Sequence, residues 1–99
     1  MQNLVLKLYI AGETSASKKS IEKLRTILTD GLGKNYDLLI IDILKHPEMA
    51  EKDKIMAAPT LLKRLPPPAQ KIIGNLTSKD KVLLGLNLYP PSRKSTVKI

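Results

Sequence analysis

Cysteine is absent from the 99 residues, which removes disulfides, thiolate nucleophiles and thiolate metal sites together. Phenylalanine and tryptophan are missing too, and three tyrosines are the whole aromatic complement, so a core must be built from Leu, Ile, Val, Ala and Met. Proteins that hold single-stranded nucleic acid interleave basic residues with stacking aromatics, and a chain that is 3% aromatic argues against that class of partner. No apolar run reaches the length of about 18 residues that a membrane-spanning helix needs. Met1-Gln2-Asn3-Leu4 has neither the basic start nor the cleavage site of a secretion signal, so the expectation is a cytoplasmic protein with no membrane partner.

What remains is a basic, aliphatic chain of single-domain size. Seventeen Lys and Arg against nine Asp and Glu give a net charge of +8, a balance that favours acidic partners. At this length burial only narrowly offsets conformational entropy, so a homo-oligomer fits the size.

Leu4-Val5-Leu6-Lys7-Leu8-Tyr9-Ile10 is apolar at every position but Lys7, which reads as a central strand covered on both faces. Ala11 to Ser15 supplies turn and capping residues. Ile21, Leu24, Ile27 and Leu28 then recur at helical spacing, with Lys18, Lys19, Lys23 and Arg25 between them, and Gly31 and Gly33 close that helix. Leu38 to Ile43 is a second apolar strand. A strand, a helix and a strand in this order predict a right-handed parallel βαβ unit. Pro47 at a first helical position and Glu48 at the positive end of the macrodipole predict a short helix running to about Lys54.

Local signals conflict in the second half. Val82, Leu84, Leu86 and Leu88 alternate as in a strand, yet Val82, Leu83, Leu86 and Tyr89 share a helical face, and Thr77 with Asp80 resembles a capping box. Gly85 weakens the helix by about 1 kcal/mol relative to Ala, so Gly85→Ala is expected to enrich a helical form. Pro59 to Leu65 fits either a strand after a proline bend or a short helix opened by Pro59, and Ala69 to Ile73 is equally ambivalent. A conflict confined to half of a domain points to function or to bistability. Pro90 to Ile99, with two prolines and three basic residues, reads as a basic, flexible tail behind a single domain of residues 1–89.

The order strand, helix, strand, short helix, Ala58-Pro59-Thr60-Leu61, strand, strand, helix resembles thioredoxin. A more specific similarity is to the KaiB family. It rests on Leu6-Lys7-Leu8-Tyr9-Ile10-Ala11-Gly12, on Ile41-Asp42-Ile43-Leu44-Lys45 followed by Pro47, on Ala50-Glu51 with Asp53-Lys54-Ile55, and on Pro59-Thr60-Leu61. It continues through Leu65-Pro66-Pro67-Pro68, Ile72-Ile73-Gly74, and Lys81-Val82-Leu83 followed by Gly85-Leu86.

The resemblance implies an α/β, thioredoxin-like fold whose N-terminal βαβ unit is fixed and whose C-terminal half switches. A resting homotetramer would run βαββααβ, and a rare monomer βαβαββα. It also implies a non-catalytic, cofactor-free clock adaptor. The switched monomer would bind the N-terminal ATPase ring of KaiC, and then capture KaiA or compete with a thioredoxin-like sensor domain of a histidine kinase. Carried over by position, Lys19, Lys54 and Lys71 would bind the partner, and Gly85 and Asn87 would tip the fold balance, with Pro59 at the proline-threonine turn. Lys19 and Lys71 replace the usual Arg of cyanobacterial relatives, and Asn87 a usual Asp. Asp37 and Leu39 stand where those relatives usually have Ala and Lys, and their tail is acidic. A stress-response role with another partner, or a permanently thioredoxin-like docking domain, is the alternative.

The remaining candidates read as ordinary surface. His46 has no second His and no Cys to share a metal with. Glu48, Glu51 and Asp53 lie among Lys52 and Lys54 as solvated ion pairs. Ala11 to Thr14 lacks the glycine spacing of a phosphate-binding loop. Pro66-Pro67-Pro68 is a stiff connector between structured segments.

Overall fold

The N-terminal half forms the βαβ unit that its hydrophobic pattern predicts. In the computed structural model, which describes residues 4–33, 35–65, 67–74, 76 and 79–86, strand β1 spans Leu4–Ile10, helix α1 Ser15–Leu32 and strand β2 Tyr36–Asp42. Thr14 caps α1, its hydroxyl accepting the Ser17 N–H at 3.1 Å. The helix runs through Gly31 and stops at Gly33, whose φ of 65° only glycine adopts without strain. Gly31 therefore does not end the helix; a Cβ there would make an ordinary 3.7 Å contact with Leu83.

β2 pairs in parallel with β1, Leu6 beside Leu38 and Tyr9 beside Ile41. Helix α2 follows as Pro47–Lys52, shorter than the run to Lys54 that the sequence suggests, with Pro47 in its first turn. The second half then resolves into strand β3 (Thr60–Leu65), strand β4 (Gln70–Ile73) and helix α3 (Lys79–Gly85). The order is βαβαββα, the arrangement that the resemblance assigns to the switched monomer. Asn87 and the segment from Pro90 to Ile99 lie outside the described residues, as does the Thr77 of the suggested capping box.

Burial explains how the ambivalent segments resolve. β3 runs antiparallel to β1 in a sheet of order β2-β1-β3-β4. It sends Leu61 into the cluster formed with Leu8, Leu24 and Leu28, and Leu62 into the cluster of Tyr9, Ile41 and Ala50 on the other face. A segment buried on two opposite sides is served by a strand, whose side chains alternate, and each fully buried Leu contributes roughly 1.5–3 kcal/mol. In α3 the buried residues are Val82, Leu83 and Leu86, while Leu84 is 68% exposed. That is helical spacing, so the alternating pattern does not prevail here.

α1 and α3 cover one face of the sheet, and among the described residues α2 with flanking Ile43 and Ile55 packs on the other. β1 is central, as expected, but its second face is covered only in part: Val5 and Lys7 are half-buried. Edge strand β2 leaves Leu39 52% exposed on that same face.

Gly85 of α3 packs against Ile72 of β4. A Cβ at this position would lie 2.7 Å from Cδ1 and 2.8 Å from Cγ1 of Ile72, so the gain in helix propensity from Gly85→Ala is opposed by packing that the sequence did not reveal. A double-mutant cycle separates the two effects. In an Ile72→Ala background Gly85→Ala is expected to be more favourable, by about 1 kcal/mol, than in the wild-type chain. Urea denaturation of the four proteins checks this, and strict additivity would contradict it.

Candidate functional site

The turn after α2 is held from two directions. Asp53 caps the helix end, and its carboxylate accepts from Lys7 Nζ at 3.0 Å and from the Tyr9 hydroxyl, both on β1. The same Tyr9 hydroxyl reaches the carbonyl of Met49 at 3.2 Å. Residues 46 apart in sequence are thereby joined where α2 meets the sheet. Burial alone would push the Asp53 carboxyl up, but hydrogen bonds from Tyr9 and Lys7, with the charges of Lys7 and Arg64, outweigh it and hold the group below the usual carboxylate range. Burial and the neighbouring carboxylate push the Tyr9 phenol up.

Lys54 follows with φ of 56°, the one described non-glycine residue in the left-handed region. The N–H of Ile55 closes back on the Ala50 carbonyl at 2.8 Å and that of Lys54 on Glu51 at 3.0 Å, the bonding of a Schellman helix end. Glycine is the residue this position ordinarily takes. A lysine there, with its side chain exposed, sits in a costly backbone state without contributing to the core. Its carbonyl is reached from β4 by Lys71 Nζ at 3.1 Å. The structure thus brings Lys54 and Lys71 together.

Lys19 is elsewhere. It is exposed on α1, which packs on the opposite face, and among the described residues no hydrogen bond or ion pair links it to Lys54 or Lys71. A cleft of about 200 Å³ is lined by Ile10, Ala11, Ala16, Ser17, Ser20, Ala58 and Pro59, and Lys19 is not among its lining residues. Pro59, which follows a cis peptide bond, forms one wall of that cleft, and the small residues of the first two turns of α1 form the other. Gly12, at φ of 85°, donates its N–H to Asp42 at 2.9 Å, and Leu44 donates to the same oxygen, so one carboxylate fixes both loops at this end of the sheet. No cysteine enters the cleft, and no cluster suited to a metal ion occurs among the described residues. His46 is exposed, 3.7 Å from Glu48.

Sequence reasoning missed the Lys7-Tyr9-Asp53 clamp. Its one visible trace was Lys7, the single charge in an otherwise apolar strand.

Comparison with known proteins gives concordant results. Residues 7–88 match the family described as the KaiB domain. The chain is 54% identical over 84 residues to the circadian clock oscillator protein KaiB of Rippkaea orientalis, covering 85% of this chain and 81% of that one. It is 51% identical over 84 residues to KaiB of Prochlorococcus marinus, covering 85% and 80%. Among solved structures, the N-terminal domain of Synechococcus elongatus SasA superposes with a TM-score of 0.73 at 22% identity, over 87% of this chain and 81% of that one. The thioredoxin Deadhead of Drosophila melanogaster gives 0.67 at 17% identity, over 87% and 80%. At such identities these two matches establish the fold alone, and that fold is thioredoxin-like.

Two outcomes follow from the turn. Lys54→Gly is expected to raise the unfolding free energy by about 1 kcal/mol, with Lys54→Ala showing no such gain, as measured by urea denaturation. Asp53 carries a folded-state pKa below its ordinary value of 3.8. Its contribution is therefore complete above that value and disappears as pH falls through the lower folded one. Asp53→Asn should cost about 2 kcal/mol at neutral pH, and the gap to wild type should narrow as the pH falls below 3.8.

Proposed function

Since the chain belongs to the KaiB family, we propose that it is a non-catalytic clock adaptor that docks on the N-terminal ATPase ring of KaiC and so modulates the phosphorylation cycle of that protein. The observation that carries this reading is Lys54. A cation is presented on an exposed turn, in a backbone state that glycine would occupy at lower cost, and it is joined through its carbonyl to Lys71 of β4. A stability cost at an exposed charged residue is what selection for binding leaves behind. Lys54 and Lys71 act together as point charges toward carboxylates, and Lys19 adds a further exposed cation on α1. Lysine lacks the bidentate fork of arginine, so these contacts are electrostatic and weaken with salt.

The binding form is the βαβαββα arrangement, in which β4 carries Lys71 to Lys54. A resting homotetramer with a helix, helix, strand C-terminal half stores the chain in a form where that meeting is lost, and Gly85 and Asn87 set the balance between the two. Association is then slowed and weakened in proportion to the fraction that is competent. KaiA, or a histidine kinase with a thioredoxin-like sensor domain, acts on the same assembly.

A second reading draws on β2. This strand lies at the sheet edge with Asp37 and Leu39 exposed, the positions where the residues differ from those usual in cyanobacterial relatives. It favours a homologue whose second partner is not KaiA, acting in a stress response, or a docking domain that keeps the thioredoxin-like fold throughout.

Pull-down with purified KaiC and ATP tests the first reading. Enrichment of KaiC by the wild-type chain, reduced about tenfold by Lys54→Ala, is the expected result. Nuclear magnetic resonance of the free chain should give two slowly exchanging peak sets, one with helical and one with strand shifts for residues 82–86. A single helical set at every concentration, with KaiC still bound, would favour the permanently thioredoxin-like domain; absence of KaiC binding would favour the stress-response role.

A further inference from the structure

The sheet face under α2 is only partly covered. α2 has six residues, a length of about 9 Å. The central strand beneath it has seven, a length of about 23 Å. α2, with Ile43 before it and Ile55 after it, packs on Tyr9, Ile41 and Leu62. Among the described residues, no helix lies over Leu39 or over the row of Asp37, Val5 and Leu65 beyond it.

The residues on that strip follow from the register. Lys7 pairs with Leu39 and Val5 with Asp37, and a register shift between Val5 and Leu6, with Arg64 as the extra residue, places Leu65 opposite Val5, so these side chains share the face on which Lys7 meets Asp53. Leu39 is 52% and Leu65 50% exposed, with half-buried Val5 between them. Three strands at about 4.8 Å spacing make the apolar strip about 10 Å wide, the diameter of one helix. Along its β3 and β4 side stand Arg64 and Lys71, both exposed.

We infer that this strip is a docking surface for an amphipathic helix of another protein, seated with its apolar stripe on Leu39, Val5 and Leu65 and its carboxylates toward Arg64 and Lys71. Charge selects this occupant over a second copy of the chain. The exposed side of α1, the long helix a second copy would offer, carries Lys18, Lys19, Lys23 and Arg25, and the whole chain has a net charge of +8. The strip is continuous with the turn at Lys54 through Lys71, so a partner held there is in reach of it. The inference does not rest on the KaiC reading, and its test uses no clock protein.

The probe is a synthetic peptide of about 18 residues, with Leu at helical spacing on one face and Glu on the other. The control is the same peptide with Lys in place of Glu. Titration into the isotope-labelled full chain should shift the amide resonances of residues 5, 37–39 and 64–65, and the lysine peptide should bind at least about tenfold more weakly. Leu39→Ser with Leu65→Ser, two exposed positions, should weaken binding about tenfold while leaving the remaining spectrum unchanged. Absent shifts, shifts centred on α1, or equal binding of the lysine peptide would overturn the inference. So would self-association of the free chain that the two serine substitutions abolish, because that result assigns the strip to a second copy.

Discussion

Antiparallel pairing of Thr60–Leu65 with the central strand is the contact on which this arrangement depends. It brings Pro59 beside Ala11 and Ala16, sends Leu61 and Leu62 into opposite clusters, and gives β4 an edge to join. α3 can then close over Ile72 and Leu76, with Gly85 packed against Ile72. Without that pairing, the segments from Ala69 onward have no surface that chooses between helix and strand for them. The N-terminal βαβ unit, by contrast, is complete before any of these residues is placed.

The site repeats this dependence on a smaller scale. Lys54 is held by a helix end whose bonds are local, but the position of that helix end on the sheet is set by Lys7 and Tyr9, and its approach to Lys71 is set by β4. Burial would neutralise Asp53; two donors and two neighbouring cations keep it charged. A charged anchor within the face of a small sheet fixes the turn more tightly than the apolar contacts of a six-residue helix could. The same short helix leaves Leu39 and Leu65 half exposed, so economy of cover and availability of surface have one cause.

The thioredoxin-like likeness is one of shape. Where thiol chemistry would need a cysteine, the first two turns of α1 offer Ala16, Ser17 and Ser20, and the chain contains no thiol anywhere. What the scaffold retains is a rigid end with two short loops tied by Asp42, and a turn that projects one cation. Those features use the scaffold without its thiol chemistry, in a chain that belongs to the KaiB family.

Sequence alone determined the βαβ half, because an apolar run, a helical stripe and a second apolar run admit one economical packing. It also determined the absence of thiol chemistry and the sign of the charge. Tertiary structure decided the rest. Gly85 costs a helix at residues 82–86 about 1 kcal/mol relative to Ala, whereas burial of Leu61, Leu62, Val82 and Leu86 contributes several, and burial depends on partners that local spacing does not reveal. The left-handed turn at Lys54 was illegible for a related reason: lysine is not a residue that announces positive φ, and the helix end whose local bonds hold it there is placed on the sheet by distant Lys7 and Tyr9.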